Sequence, residues 1–162
     1  MDSLSWRPMV PHDLGAVVAL AEDLFPDHYE APERFAERLR ASPAFCRVLA
    51  PEAGAIRGYL VAYPWPLGRI PPLNKALESI AGHDAIYVHD LGVHPQAAGQ
   101  GHARAAVADL VARSDGAAIA LVAVNGSAPF WRAQGFREAP CPALADTLAS
   151  YGADARYMIR RP

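Results

Sequence analysis

The sequence predicts a mixed α/β fold whose sheet is largely antiparallel at its start and carries one strand-helix-strand unit in its middle. Three observations point there. Two helical periodicities precede a pair of short apolar segments joined by the turn Glu52-Ala53-Gly54. A further apolar segment, Ala85 to Val93, runs into a glycine-rich turn and then a helix-spaced apolar face. After that helix comes Ala117 to Val124, a continuous apolar run of the kind expected in a strand buried on both faces.

Taken in order, Trp6 to Val10 reads as a short first strand. Pro11-His12-Asp13 suits a first helical turn, and Leu14, Val17, Val18 and Ala21 then fall at helical spacing until Pro26. A second helix is expected from Pro32 to Arg40, with Phe35 and Leu39 inward. Phe45 to Ala50 and Ile56 to Tyr63 make an antiparallel hairpin. Pro64 to Asp84 is long for a connection between strands, holds four prolines and is assigned a short helix near Leu73 to Ile80. Ala85 to Val93 is a strand, and Gly99 to Arg113 a helix ended by Gly116. The run Ala117 to Val124 is the next strand. A short helix over Ser127 to Gln134, capped by Ser127, follows. Strands starting at Phe136 and covering Arg156 to Arg160 complete the chain.

The 162 residues suffice for a single domain with its own core, expected to span 1–162. A net charge of -2 supplies no cationic field for nucleic acid. The longest apolar run is too short to span a membrane, and Met1 to Val10 holds Asp2, Arg7 and Pro8, unlike a signal peptide. Cys46 and Cys141 lie far apart without metal-ligand spacing, so two reduced thiols in a cytoplasmic protein are expected, with no metal. The richness in Ala, Arg and Pro suggests a bacterial source.

The chemistry is carried by Gln96-Ala97-Ala98-Gly99-Gln100-Gly101. The first amides of a helix have no internal partner and carry partial positive charge, so such a turn receives phosphates, and glycines let the backbone come close. Leu91-Gly92-Val93-His94-Pro95 precedes the turn, and Asn125-Gly126 and Phe130-Trp131-Arg132-Ala133-Gln134-Gly135-Phe136 follow one helix and one strand later. This combination resembles the GCN5-related N-acetyltransferase (GNAT) family. Gln96-x-x-Gly99-x-Gly101 fits its Q/R-x-x-G-x-G/A pyrophosphate loop, and Phe130-Trp131-x-x-x-Gly135-Phe136 its later aromatic segment. The likeness in element order covers essentially the whole chain.

The resemblance implies a mostly antiparallel sheet with flanking helices and a splayed central strand pair that holds acetyl-CoA or another short acyl-CoA. The backbone of Leu91, Gly92 and Val93 would pair with the pantetheine arm, the Leu91 amide acting as an oxyanion donor. Gln96, Gly99, Gln100, Gly101, His102, Ala103 and Arg104 would take the pyrophosphate, with Asn125 and Phe130 further along the cofactor. Asn125 reads equally as a turn residue. Two positions depart from the family. Ala98 stands where Arg or Lys is frequent, and Trp131 where several members carry an acid tyrosine, a role indole cannot fill.

Transfer to an amine needs a base. His89, two residues before Leu91, is the first candidate, and it matches a histidine of arylalkylamine N-acetyltransferases, with Tyr87 at the partner position. A histidine bonded only to neighbours reads equally well. Asp90 points to the opposite face unless a bulge intervenes. Tyr151 and Tyr157 remain as thiol acids or as packing residues. Glu30 and His28 lie where the family places substrate contacts, or in a solvated loop; Glu30 and Tyr87 are the expected substrate residues. The expected reaction is direct acetylation of a small amine or amino-acid-like acceptor, with a homodimer compatible. The alternatives are a non-catalytic acyl-CoA-binding regulatory domain and a protein or peptide N-acetyltransferase, which would need an open groove.

Overall fold

The computed structural model describes residues 3–162; Met1 and Asp2, part of the N-terminal segment read above, lie outside the described residues. The strands are β1 (Ser5–Pro8), β2 (Cys46–Ala50), β3 (Gly58–Trp65), β4 (Ala85–Val93), β5 (Ile119–Ala123), β6 (Arg137–Glu138) and β7 (Arg156–Arg160). They form one sheet in the order β1-β2-β3-β4-β5-β7-β6. Only the β4–β5 pair is parallel, as a crossover through a helix requires. That helix is α3 (His102–Arg113).

Side-chain alternation splits the core into two layers. Tyr59, Val61 and Tyr63 of β3 meet α1 (Leu14–Leu24) and α2 (Pro32–Ala41), through Val17, Leu20, Phe35 and Leu39. Leu60 and Ala62 face the other way, toward Val107 and Leu110 of α3 and Trp131 of α4 (Ala128–Ala133). β5 contributes to both layers, Ala120 to the first and Ile119 and Leu121 to the second, which explains its unbroken apolar sequence.

Both helices α1 and α2 follow local chemistry. Phe25 closes α1 by donating to the Ala21 carbonyl, and Pro26 prevents a further turn. Pro32 opens α2 at the position where its missing N–H costs nothing.

Three local expectations are corrected. No helix forms over Leu73 to Ile80. Its amides find carboxylates instead: Asn74 N–H donates to Glu30 at 3.0 Å and Leu77 N–H to Glu37 at 3.4 Å. Asn74 itself takes a left-handed φ of 53°. α3 starts at His102, because Gly99 and Gly101 have φ of 76° and 85° and lie outside the helix. Ser127 precedes α4 without a side-chain cap bond. A further short helix, α5 (Ala145–Ala149), lies between β6 and β7.

Phe136 is fully buried and meets Trp131 edge-to-face at 5.2 Å, closing the layer beneath α4. Phe136→Ala is expected to lower unfolding free energy by about 3–5 kcal/mol, measured by urea denaturation.

Candidate active site

The site is organised by one irregularity in β4. Val61 of β3 pairs with Asp90, but the next residue, Ala62, pairs with Val88, so His89 is an extra residue in the ladder. Such a bulge reverses the parity of everything beyond it. Before it, Tyr87 faces the α1–α2 layer and Val88 the α3 layer. After it, Asp90 meets Tyr59 of the α1–α2 layer, and Leu91 packs on the α3 layer. The side chains of His89 and Asp90 therefore share a face that Leu91 does not, although His89 and Leu91 both line the cleft between β4 and β5.

The backbone reverses with the side chains. Ile86 N–H donates toward the β5 edge, to the Ala118 carbonyl, whereas His94 N–H donates toward the β3 edge, to the Arg57 carbonyl. Alternation from His94 sends the Leu91 and Val93 N–H groups to the β5 edge. There β5 has already left: its pairing with β4 covers only Ile86 to Val88. A cleft of about 290 Å³ opens in the gap, lined by Val88 to Val93 on one side, His89 included, and Val122, Val124, Asn125 and Trp131 on the other. Asn125, with a φ of 54°, is both a turn residue and a wall of this cleft. Gly92 gives room where α1 comes down on β4, since a Cβ there would meet Leu24 Cδ1 at 2.8 Å and Phe25 Cε2 at 3.1 Å and push these side chains aside.

Next along the chain, Gly99, Gly101, His102, Ala103, Arg104 and Phe130 line a second hollow of about 280 Å³. The N-terminus of α3 has no side-chain cap, so its first amides remain free for an anion, and Arg104 stays close to Gly101. Gln96, Gln100 and His102 also border a broad groove of about 800 Å³ with Arg57. Trp6 donates to the His102 carbonyl at 2.9 Å and fixes this turn from the edge strand.

On the other side of β4 lies a third cavity of about 160 Å³, beneath the α1–α2 connection. Phe25 and Asp90 line both it and the cleft, so the two spaces meet there. Burial raises the Asp90 carboxyl above its ordinary range and Glu30 adds to this, against the lowering effects of His89, Arg38 and Tyr59. Tyr59 donates to Asp90 at 3.1 Å.

Glu30 is not in a solvated loop; it is buried, and this expectation is corrected. Arg38 donates to it twice, at 2.8 and 2.6 Å, His89 Nε2 at 2.6 Å, and the Asn74 amide at 3.0 Å. Burial alone would raise its pKa, but His89 and Arg38 outweigh this and hold its carboxyl well below the usual range. Because Glu30 is a carboxylate, His89 Nε2 is the donor, and Nδ1 is hydrogen-bonded to the Tyr63 hydroxyl at 2.9 Å. Both ring nitrogens of His89 are thus engaged, and its side chain is 2% exposed.

The remaining candidates lie deeper. Tyr87 is buried against Tyr63 and His89 and lines neither cavity. Tyr151 is buried, donates its hydroxyl to the Pro71 carbonyl, and has its pKa raised by that burial. Tyr157 accepts from Gly68 N–H at 2.9 Å. His28 does reach the third cavity, while its Nε2 bonds the Tyr151 carbonyl at 2.7 Å. Asp90 is the residue that sequence reasoning set aside, and the bulge that turns it is its only signal.

Glu30 has a lower pKa folded than unfolded, so its stabilising contribution is present above about pH 4.3 and is lost as pH falls below that value. Glu30→Gln is expected to cost about 3–5 kcal/mol at pH 7, because Arg38 is left buried and unpaired. Urea titrations at pH 7 and pH 3.5 should show the wild type losing more stability between the two than the variant.

Comparison with known proteins follows this geometry. A family model described as "Acetyltransferase (GNAT) family" matches residues 15–136. No curated protein gives a significant match. Among solved structures, Ard1 from Thermoplasma volcanium superposes with a TM-score of 0.70 at 17% identity, covering 98% of this chain and 97% of its own. Arabidopsis thaliana Naa50, in complex with a bisubstrate analogue, gives 0.70 at 15% identity, covering 99% of both chains. A GNAT-like decarboxylase, GphF, in complex with isobutyryl-CoA, gives 0.71 at 17% identity, covering 97% of this chain and 98% of its own. At these identities the likeness concerns the fold alone. The family match, spanning three quarters of the sequence and including the bulged strand, the glycine turn and the aromatic segment, shows that this chain belongs to the GNAT acetyltransferase family.

Proposed function

We propose that this protein is an acetyl-CoA-dependent N-acetyltransferase that moves the acetyl group directly to a small amine. The observation that carries the reading is the meeting of two cavities at Asp90: the cleft between β4 and β5, and the cavity beneath the α1–α2 connection. A donor reaching through one space and an acceptor seated in the other approach each other at that carboxylate.

The residues fit the cofactor. The cleft offers the Leu91 and Val93 amides along one edge, and the turn from Gly99 to Arg104 offers the free amides of α3 to a pyrophosphate. Backbone supplies what Ala98 does not. The bound acyl-CoA supplies a thioester carbonyl open to attack. The Leu91 N–H, facing the cleft, is the oxyanion donor, and Asn125 orients the amide chain. Asp90, its pKa raised by burial, takes a proton from the amine directly or through water as the N–C bond forms. The C–S bond breaks, and Asp90 returns the proton to the departing sulfur. This balance needs no tyrosine acid, which suits Trp131 and leaves Tyr151 as a packing residue. His89 acts through Glu30 and the bulge as a positioning residue. Glu30 lines the acceptor cavity, whereas Tyr87 supports the site from below.

The test is thiol release from acetyl-CoA over a panel of amines, recorded as kcat/KM against pH. Asp90→Asn is expected to lower kcat by about 10²–10⁴-fold and to remove the acid limb of the profile, with cofactor affinity unchanged. His89→Gln is expected to lower activity and keep that limb. Full activity in Asp90→Asn contradicts the assignment of the base, and silence of the wild type with every amine contradicts the reaction.

A further inference from the structure

Resting on the reading above, we infer that the acceptor is a small amine bearing no carboxylate. The cavity beneath the α1–α2 connection states its ligand's chemistry by the groups it offers. Its walls are apolar at Val18, Ala21, Phe25 and Phe35, and its charged groups are Glu22, Glu30 and Asp90. Among the described residues no Arg or Lys lines it. The nearest guanidinium, Arg38, has NH1 and NH2 both bonded to Glu30.

His28 adds an independent observation. Its Nε2 bonds a carbonyl, that of Tyr151, so Nε2 carries a hydrogen. That Nδ1 is buried and has no hydrogen-bond partner. An unpartnered polar atom calls for a polar ligand, and the carboxylates around it favour a cation such as an ammonium. An α-carboxylate would enter with acceptors only, beside negative charge, and would leave its own charge unpaired and desolvated.

Size and closure complete the argument. About 160 Å³ suits a group on the scale of a benzene ring. The segments around the site are tied to one another: His28 to Tyr151, Tyr151 to Pro71, and Asn74 to both Glu30 and the Ala31 amide. The 64–84 connection is thus held against the α1–α2 connection at this cavity.

The experiment compares amines with their parent amino acids. Isothermal titration of the coenzyme A-loaded protein measures isoamylamine against leucine, phenethylamine against phenylalanine, and a free tripeptide. Thiol release from acetyl-CoA is recorded for the same compounds. Each amine is expected to bind at least about 100-fold more tightly than its amino acid, since the site rejects an unpaired charge. Glu22→Lys, on the exposed side of α1, is expected to narrow that ratio by supplying a cation. Equal or tighter binding of the amino acids, tighter binding of the tripeptide, or no binding of either amine overturns the inference. Amine-selective binding without thiol release leaves the inference standing and overturns the catalytic reading instead.

Discussion

One extra residue in β4 sets the geometry of everything around the cleft. His89 has no partner in the β3 ladder, and past it every side chain and every amide points opposite to where a regular strand would send it. The Leu91 amide faces the gap left by β5, and the Asp90 carboxylate faces the cavity beside α1. Neither is possible in a regular strand continuing the parity of Tyr87. A bulge costs ladder hydrogen bonds, so it needs support. Glu30 supplies it, holding the His89 ring while it also gathers Arg38 and the Asn74 amide. The buried charge is tolerated because its donors come from three segments. Those segments are fixed to the bulge by the same carboxylate.

The two sides of the sheet divide the labour. On the α3 side, backbone carries most of the recognition: glycines with left-handed φ, free helix amides and strand N–H groups, joined by Arg104 beside the turn. On the α1–α2 side, side chains carry it, and they are acidic or apolar. Gly92 lets α1 press on β4 closely enough for Phe25 to wall both spaces. The division has a physical reason. A pyrophosphate is bound well by amides whatever the sequence around them, whereas selection among amines depends on which charges and shapes surround the nitrogen.

Much of this was legible in the sequence. The bounds of β4 and β7 follow from their apolar runs, and the glycine turn, the aromatic segment and the order of elements carried the family resemblance. These signals are local or follow one another along the chain. A bulge in this strand was left open by the sequence, but its place at His89 was not legible, because it is a mismatch of register between β3 and β4 that neither strand shows alone. The burial of Glu30 was hidden for a related reason, since Arg38, Asn74 and His89 stand far from it in the chain. The segment from Leu73 to Ile80 carries helix-forming residues but spends its amides on Glu30 and Glu37, a choice made by tertiary contacts over local propensity. Asp90 was set aside on strand alternation, which holds everywhere in β4 except across His89.

The account stands on the claim that donor and acceptor meet at Asp90, and a crystal structure of the coenzyme A complex tests it most directly. The account predicts the pantetheine arm between β4 and β5, with the thiol ending beside Phe25 and Asp90 and the Asp90 carboxylate facing both cavities. A thiol that ends elsewhere, or an Asp90 side chain turned away with His89 drawn into the regular ladder, would contradict it.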